Sequence, residues 1–244
     1  MRVLITGAAG NLGTKLRRHL SLRHRLVLIS LHPRGNPDIE PADLSIWDRR
    51  WVVLFQGVET VIHLAANANH EAAWAELVRP NIDMVLNVYE ACAVNKVQRV
   101  IFASSNHVLS GYRDRDPLIL RSDTPPCPGN PYGASKLMGE HIGKHFSDRR
   151  GIASINVRIG WNLRGPDNVP ASNADDWNKK MWLSDRDYCH LMDCCIDAPR
   201  DLRWAIINGI SDNAGSRWDL GEARELVGYC PTDNVFDPNT VRHQ

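Results

Sequence analysis

The chain has no CxxC pair and no histidine or cysteine spacing of the kind that holds zinc, although it carries six cysteines. A disulfide framework or a structural metal site is therefore not expected, and Cys92, Cys127, Cys189, Cys194, Cys195 and Cys230 read as reduced packing residues of a cytosolic protein. No apolar run approaches the roughly 18 residues of a spanning helix. There is no excess of either charge: 29 Lys and Arg against 28 Asp and Glu leave a net +1, so no overall field favours nucleic acid or membrane. Internal repeats and low-complexity tracts are absent too. The first strand starts at Arg2, which leaves no room for a signal peptide. What remains is a 244-residue chain of ordinary hydrophobic content, long enough for one large α/β domain with a small appendage.

The amino-terminal pattern is strand, glycine-rich turn, helix. Val3-Leu4-Ile5 runs into Thr6-Gly7-Ala8-Ala9-Gly10-Asn11-Leu12-Gly13, and Leu12, Leu16 and Leu20 recur at helical spacing. Glycines at Gly7, Gly10 and Gly13 allow a tight turn and a close backbone approach. The helix start at Asn11 and Leu12 offers free N–H groups to a pyrophosphate. A dinucleotide site is expected there.

Arg25 to Ser30 reads as the second strand. The residue at its end usually chooses between coenzymes, because an acid there accepts from the ribose 2′-hydroxyl of NAD. Here the strand ends in Ser30, and His32 and Arg34 follow, so the expected lean is to NADP over NAD. Ala42-Asp43-Leu44 reads as the end of a short third strand, with Asp43 and Leu44 near the adenine. A helix is expected from Trp47 to Phe55. Glu59 to Ala66 reads as a central strand, with Ala65 and Ala66 small enough at its end for a cofactor to lie close and Leu64 beside them at the cofactor. His63 within it reads as a hydrogen-bonded core histidine. A helix is expected from Pro80 to Asn95, with Asn81 at its start as a cap or as a polar contact behind the site.

Arg99 to Ala103 is the fifth strand and ends in Ser104-Ser105-Asn106-His107-Val108. Two hydroxyls, an amide and an imidazole arrive together where doubly wound sheets bind ligands. Past a polar loop from Gly111 to Gly129, Asn130 can cap a helix and Pro131 suits its first turn. Ala134, Met138, His141, Ile142 and His145 run along it. Tyr132 and Lys136 stand four apart and share a helical face. An ammonium beside a phenol favours the phenolate, so Lys136 is expected to lower the Tyr132 pKa for proton transfer with a substrate hydroxyl. Ala153 to Arg158 is a sixth strand. The irregular stretch from Ile159 to Ser184, with Trp161, Trp177, Lys179, Lys180 and Trp182, reads as a substrate lid. A helix from Tyr188 to Ala198, a strand from Trp204 to Asn208 and a helix from Asp219 to Val227 complete the chain.

TGAAGNLG at Thr6 to Gly13, VIHLAA at Val61 to Ala66, SSNHV at Ser104 to Val108 and YGASK at Tyr132 to Lys136 together resemble the extended short-chain dehydrogenase/reductases, also called NAD-dependent epimerase/dehydratases. The closing WDLGEARELVGYCP is similar to the usual end of such chains. The resemblance implies a Rossmann-type doubly wound parallel sheet: a dinucleotide-binding core at 1–160, and a small carboxy-terminal substrate cap at 161–244 interleaved with the last strand and helix. It implies Ser105, Tyr132 and Lys136 as catalytic residues, with Tyr132, Lys136, Asn81 and Ile159 also at the cofactor, and a homodimer through the helices at Pro80 and Tyr132. ASSNHV and RIG look most like uronate dehydrogenases, which puts Asn106 and His107, with Asn67 and Trp161, at the substrate. Trp161 stands where those enzymes have serine, and shortly before Trp182 the lid offers Lys179 and Lys180 where they have an arginine for the carboxylate. Both point to a bulkier, less acidic substrate. A sugar epimerase or dehydratase with retained nicotinamide, and a dinucleotide-sensing regulator without turnover, are the alternatives. Asn106 replaces the acid of the dehydratases.

Overall fold

In the computed structural model the described residues are 1–115, 118–165, 167–237 and 240. Residues 116 and 117 of the expected polar loop, 166 of the expected lid, and 238–239 and 241–244 of the tail lie outside them. The strands β1 (Arg2–Thr6), β2 (Arg25–Ser30), β3 (Ile39–Pro41), β4 (Thr60–His63), β5 (Arg99–Ser105), β6 (Ala153–Ile159) and β7 (Trp204–Gly209) form one sheet. Every pairing is parallel, in the order β3-β2-β1-β4-β5-β6-β7. The chain reverses its winding between β1 and β4, and ligands of such sheets bind beyond the carboxyl ends of the strands at that point.

Strand residues alternate between two apolar layers, as a period of two requires. Val3, Ile5, Ile62 and Ile101 face the layer under α1 (Asn11–Leu20), α7 (Asp185–Asp197) and α8 (Gly221–Val227). Leu4, Val61, Val100 and Phe102 face the layer under α2 (Arg49–Val52), α4 (Met84–Val94) and α5 (Pro131–Arg150). Full burial of a side chain of this size contributes about 1.5–3 kcal/mol, so the central strands hold the fold from both faces. Among the described residues no helix is long and apolar enough to cross a membrane.

Three expected elements differ. The third strand is Ile39–Pro41, ahead of Asp43 and Leu44, because Ile39 is the buried residue that pairs with Leu28. The helix expected over Trp47 to Phe55 shrinks to α2 and a 3₁₀ turn, started by Asp48, whose side chain accepts from Arg50 N. The helix expected from Pro80 has no start there. A short helix, α3 (Trp74–Val78), runs through a π turn at Arg79–Asp83 into α4, and the turn accommodates Pro80, which has no N–H to give. Asn81 therefore caps nothing.

α5 begins as its sequence suggests: Asn130 Oδ1 accepts from Gly133 N at 2.8 Å, with Pro131 at the first helical position. Its buried face was not legible, because it is polar and small. Tyr132, Ser135, Lys136, Gly139, Glu140 and Gly143 are buried, whereas Met138, His141 and His145 are exposed. A Cβ on Gly139 would stand 2.3 Å from Phe102 Cζ, so this glycine lets the helix lie against β5. That closeness is what brings Lys136 to the strand tips. Short α6 (Asp176–Lys180) lies in the irregular segment before α7.

Candidate active site

A cleft of about 470 Å³ opens at the carboxyl ends of β1, β4, β5 and β6. One wall is the glycine-rich turn. Gly7 has φ +68°, and a Cβ there would stand 2.8 Å from Ala65 N, so only glycine lets β1 turn this close to the end of β4. Gly10 precedes α1 without any side-chain cap, which leaves the first-turn N–H groups free toward the cleft. Gly10, Asn11, Leu12 and Gly13 line it, with Leu64, Ala66 and Ile159 opposite. A second cleft of about 210 Å³ shares Gly7 and is lined by Ser30, Asp43, Leu44, Ala65 and Arg79. An uncapped helix start between two adjoining clefts fits a dinucleotide: the pyrophosphate at the turn, the adenosine toward β2.

His63 lies behind this turn as a core residue. Its Nδ1 is 2.7 Å from Thr6 Oγ1, and burial drives its pKa down to about 3, so the ring is neutral. Thr6 Oγ1 also accepts from Ala65 N at 3.2 Å and so fixes the small residues beside the cofactor space.

Ser105, Tyr132 and Lys136 share the cleft wall between β5 and α5. The Ser105 hydroxyl accepts from His107 N at 3.2 Å. Lys136 Nζ donates to Ala103 O at 2.8 Å and lies 5.7 Å from the centre of the Tyr132 ring. The expected effect of the lysine on the phenol is absent here. Burial pushes the Tyr132 pKa up to about 12, an interaction with the Ser105 hydroxyl draws it back only in part, and Lys136 itself is brought down to about 8 by burial. Desolvation outweighs an ammonium directed at a backbone carbonyl.

On the substrate side, His70, Asn106, His107, Trp161, Arg164 and Met181 line the cleft. Asn106 is buried and its amide donates to Met181 Sδ. His107 is uncharged near neutrality, since burial first and His70 second bring its pKa to about 4. Trp161 is the one expected lid aromatic on this wall. Trp182 is buried, with Nε1 donating to Asn168 O at 2.9 Å, and Trp177 packs on Trp218 with ring centres 4.5 Å apart. Lys179 donates to Ser172 O and Lys180 lies 4.0 Å from Asp176, so neither reaches the cleft. The loop carrying Trp161 and Arg164 is tied to α1: Asn11 Nδ2 donates to Leu163 O at 3.0 Å, and Lys15 Nζ to Asn162 Oδ1 at 2.9 Å.

Three expected site residues stand elsewhere. Arg34 is exposed in the turn with Gly35 and lines neither cleft. The arginine beside the adenosine space is Arg79, whose Nε donates to Ser45 Oγ at 3.0 Å and whose Nη2 is 3.5 Å from Asp43 Oδ2. Asn67 turns its side chain into its own loop, where Oδ1 accepts from Asn69 N at 3.1 Å. Asn81 acts from behind: Oδ1 accepts from Asn67 N at 2.8 Å, and Nδ2 donates to Asn67 O and Ser135 Oγ, each at 3.0 Å. His70, Arg79 and Arg164 carried no signal in the sequence, since each is a lone polar residue in a loop or turn.

A larger cleft of about 600 Å³ lies at the opposite edge of the sheet, lined by Lys96, Arg99, Arg150, Arg200 and Arg203. Its cations have a structural cause. α4, α5 and α7 end there, and Arg99 donates to the carbonyls of Cys195, Ile196 and Pro199. The smaller cleft, at the carboxyl edge, is the candidate site.

The NAD dependent epimerase/dehydratase family matches residues 3–195. The chain belongs to that family. It is 34% identical over 250 residues to an NAD-dependent glucose-6-phosphate dehydrogenase of Haloferax volcanii, covering 95% of this chain and 93% of that protein. An L-arabinose 1-dehydrogenase (NAD(P)(+)) from the same organism is 34% identical over 247 residues, covering 96% and 97%. The crystal structure of a uronate dehydrogenase variant from Agrobacterium tumefaciens complexed with NAD superimposes with a TM-score of 0.80 at 30% identity, covering 96% of this chain and 85% of that one.

Proposed function

We propose that this member of the epimerase/dehydratase family is an NAD(P)-dependent oxidoreductase, moving a hydride between nicotinamide and the carbinol or hemiacetal carbon of a sugar-like substrate. The observation that carries the reading is the meeting of Ser105, Tyr132 and Lys136 on one wall of a cleft that continues into the glycine-rich turn. The nicotinamide, when bound, supplies the hydride acceptor or donor. The chain's own residues do the rest. Ser105 orients the substrate oxygen. Tyr132 takes its proton in oxidation, leaving a carbonyl or lactone, and returns it in reduction. Lys136 holds positive charge near the phenol. Trp161, Arg164 and Met181 cover the sugar.

The reading takes NAD as the preferred coenzyme. The Ser45 hydroxyl holds the Asp43 carboxyl below the usual range, so it stays ionised beside the adenosine space, where a 2′-phosphate would meet it. Arg34 is not there to compensate, and Arg79, which is, already faces Asp43. A neutral aldose is preferred to a uronate in this reading, because His107 is uncharged and a carboxylate would have only Arg164, among the substrate-side residues of the cleft, to grip it. Aldoses, sugar phosphates and uronates, followed at the nicotinamide absorbance with each coenzyme, test this. The expected result is turnover of an aldose with kcat/KM at least about tenfold higher for NAD, a difference of about 1.4 kcal/mol. Arg34→Ala should change neither value. A tenfold preference for NADP that Arg34→Ala abolishes would sink the coenzyme assignment, and silence with every compound would favour the regulator.

A homodimer through α4 and α5 belongs to the same reading. Leu86 and Val94 on α4 and Met138 on α5 are exposed apolar side chains on helices that pack together. Sedimentation velocity should give a dimer for the natural chain and a monomer for Leu86→Glu combined with Met138→Glu; a monomeric natural chain ends this part of the proposal.

A further inference from the structure

Asn130 spends both ends of one amide. Its Oδ1 accepts from Gly133 N at 2.8 Å, which caps α5. A backbone N–H can only donate, so the oxygen must face the helix and the nitrogen must face the other way. There Asn130 Nδ2 stands 2.9 Å from His107 Nδ1. An amide NH₂ can only donate, so Nδ1 of this imidazole accepts. A neutral imidazole with Nδ1 accepting carries its proton on Nε2. The orientation that is usually ambiguous for an asparagine and a histidine is settled here by one helix N-terminus.

The ring so fixed stands in the site. His107 lines the cleft, its ring meets Tyr132 edge-on with centres 5.5 Å apart, and His70 lies 5.3 Å away on the other side. Nε2 has no hydrogen-bond partner among the described residues and is not one of the sealed polar atoms.

We infer that Asn130 is a positioning residue for recognition: it holds His107 in the Nε2–H tautomer, so the imidazole presents a donor, and no acceptor, to a ring, carbonyl or hydroxyl oxygen of the substrate. The second half rests on the sugar-oxidoreductase reading; the first does not. Burial and His70 keep the ring uncharged near neutrality, so the donor is a neutral one and His107 is not the proton acceptor of the reaction. Its role differs from that of Tyr132, which can both give and take a proton. The coupling also has a consequence for assembly of the site: the bond that starts the helix carrying Tyr132 and Lys136 is made by the side chain that orients His107.

Asn130→Asp separates the two jobs. One carboxylate oxygen can still accept from Gly133 N, so the cap is kept. The other can only accept, so His107 must turn its proton to Nδ1 or take a second one. Long-range proton–nitrogen correlation spectra of ¹⁵N-labelled protein read the tautomer directly, with His107→Gln giving the assignment. The natural chain is expected to show the proton on Nε2. Asn130→Asp is expected to place it on Nδ1, or on both nitrogens with a raised pKa, while the thermal midpoint stays close to that of the natural chain. Asn130→Ser keeps a cap but loses the imidazole bond, and should give a mixture of tautomers. For the sugar that is turned over, kcat/KM in Asn130→Asp should fall about 5- to 100-fold, as for a lost buried hydrogen bond, with the NAD dissociation constant unchanged. A proton on Nδ1 in the natural chain, or an unchanged Nε2–H in Asn130→Asp, overturns the proposal. The spectra need no substrate, so failure to find a sugar substrate cannot be confused with failure of the tautomer assignment.

Discussion

Replacing Tyr132 by phenylalanine is expected to lower kcat/KM for sugar oxidation by about 10²- to 10⁴-fold, the usual loss when a positioned acid–base group is removed. NAD binding, measured by calorimetry, should change little, because the ring remains to pack against Ala72 and Leu77. The pH profile is the sharper test. Burial holds the phenol near 12, so in oxidation it must lose a proton it strongly keeps. The rate of the natural enzyme should therefore climb with pH through the neutral and mildly alkaline range, where the phenol is still almost wholly protonated. The phenylalanine variant should be slow and nearly flat. A variant that keeps full activity would remove Tyr132 from the chemistry. Lys136 has a stability signature of its own. Its pKa is depressed from 10.5 to about 8 by burial, so its charged form costs stability at neutral pH. Between those two values the unfolded chain binds more protons than the native one, and stability rises with pH across that window.

Glu140→Ala should destabilise the fold by about 3–5 kcal/mol, the cost of stranding a buried charge. For a chain of this size that lowers the melting temperature by about 10 °C. Glu140 Oε1 accepts from Arg158 Nε at 2.9 Å and Oε2 from Arg158 Nη2 at 3.0 Å, and Ser104 Oγ donates to Oε1 at 2.6 Å. The two side chains are 2% and 1% exposed. Without the carboxylate, the one hydrogen bond left to the Arg158 guanidinium among the described residues is to the Ser122 carbonyl, at 3.2 Å. The contrast is the pair of Lys144 with Asp148 on the same helix. It is as short, 2.7 Å, but its side chains are 45% and 52% exposed, and Lys144→Ala should cost less than about 0.5 kcal/mol. Glu140→Leu with Arg158→Met should recover most of the loss, since apolar residues often replace a buried pair without penalty. Chemical denaturation of the three variants beside the natural chain decides it; equal small losses for Glu140→Ala and Lys144→Ala would contradict the burial argument. Activity should fall as well, because the same pair ties α5, which carries Tyr132, to β5 and β6, next to Ser105.

The strands were read from apolar runs such as Val3-Leu4-Ile5, and the parallel sheet bears that reading out. Runs of this kind are visible because a strand buried on both faces needs no polar alternation. α5 shows the opposite case. Its inward face carries Lys136, Glu140 and three glycines, so apolar periodicity favours the wrong side; its start was legible only from Asn130 and Pro131. The lean to NADP finds no support in the structure for a related reason. Arg34 follows the second strand in sequence, but the turn at Gly35 leaves it exposed, and Arg79, distant in sequence, fills the space beside Asp43.

By itself the sequence determined the class of fold and the chemistry available, because both depend on local pattern: a glycine-rich turn between a strand and a helix, and a phenol one helical turn from an amine. Only the tertiary structure decided which polar groups meet. The pairing of Glu140 with Arg158, the direction of Lys136 toward a carbonyl, and the hold of Asn130 on His107 are contacts between distant segments. They are set by how closely α5 approaches β5, a distance no local pattern encodes.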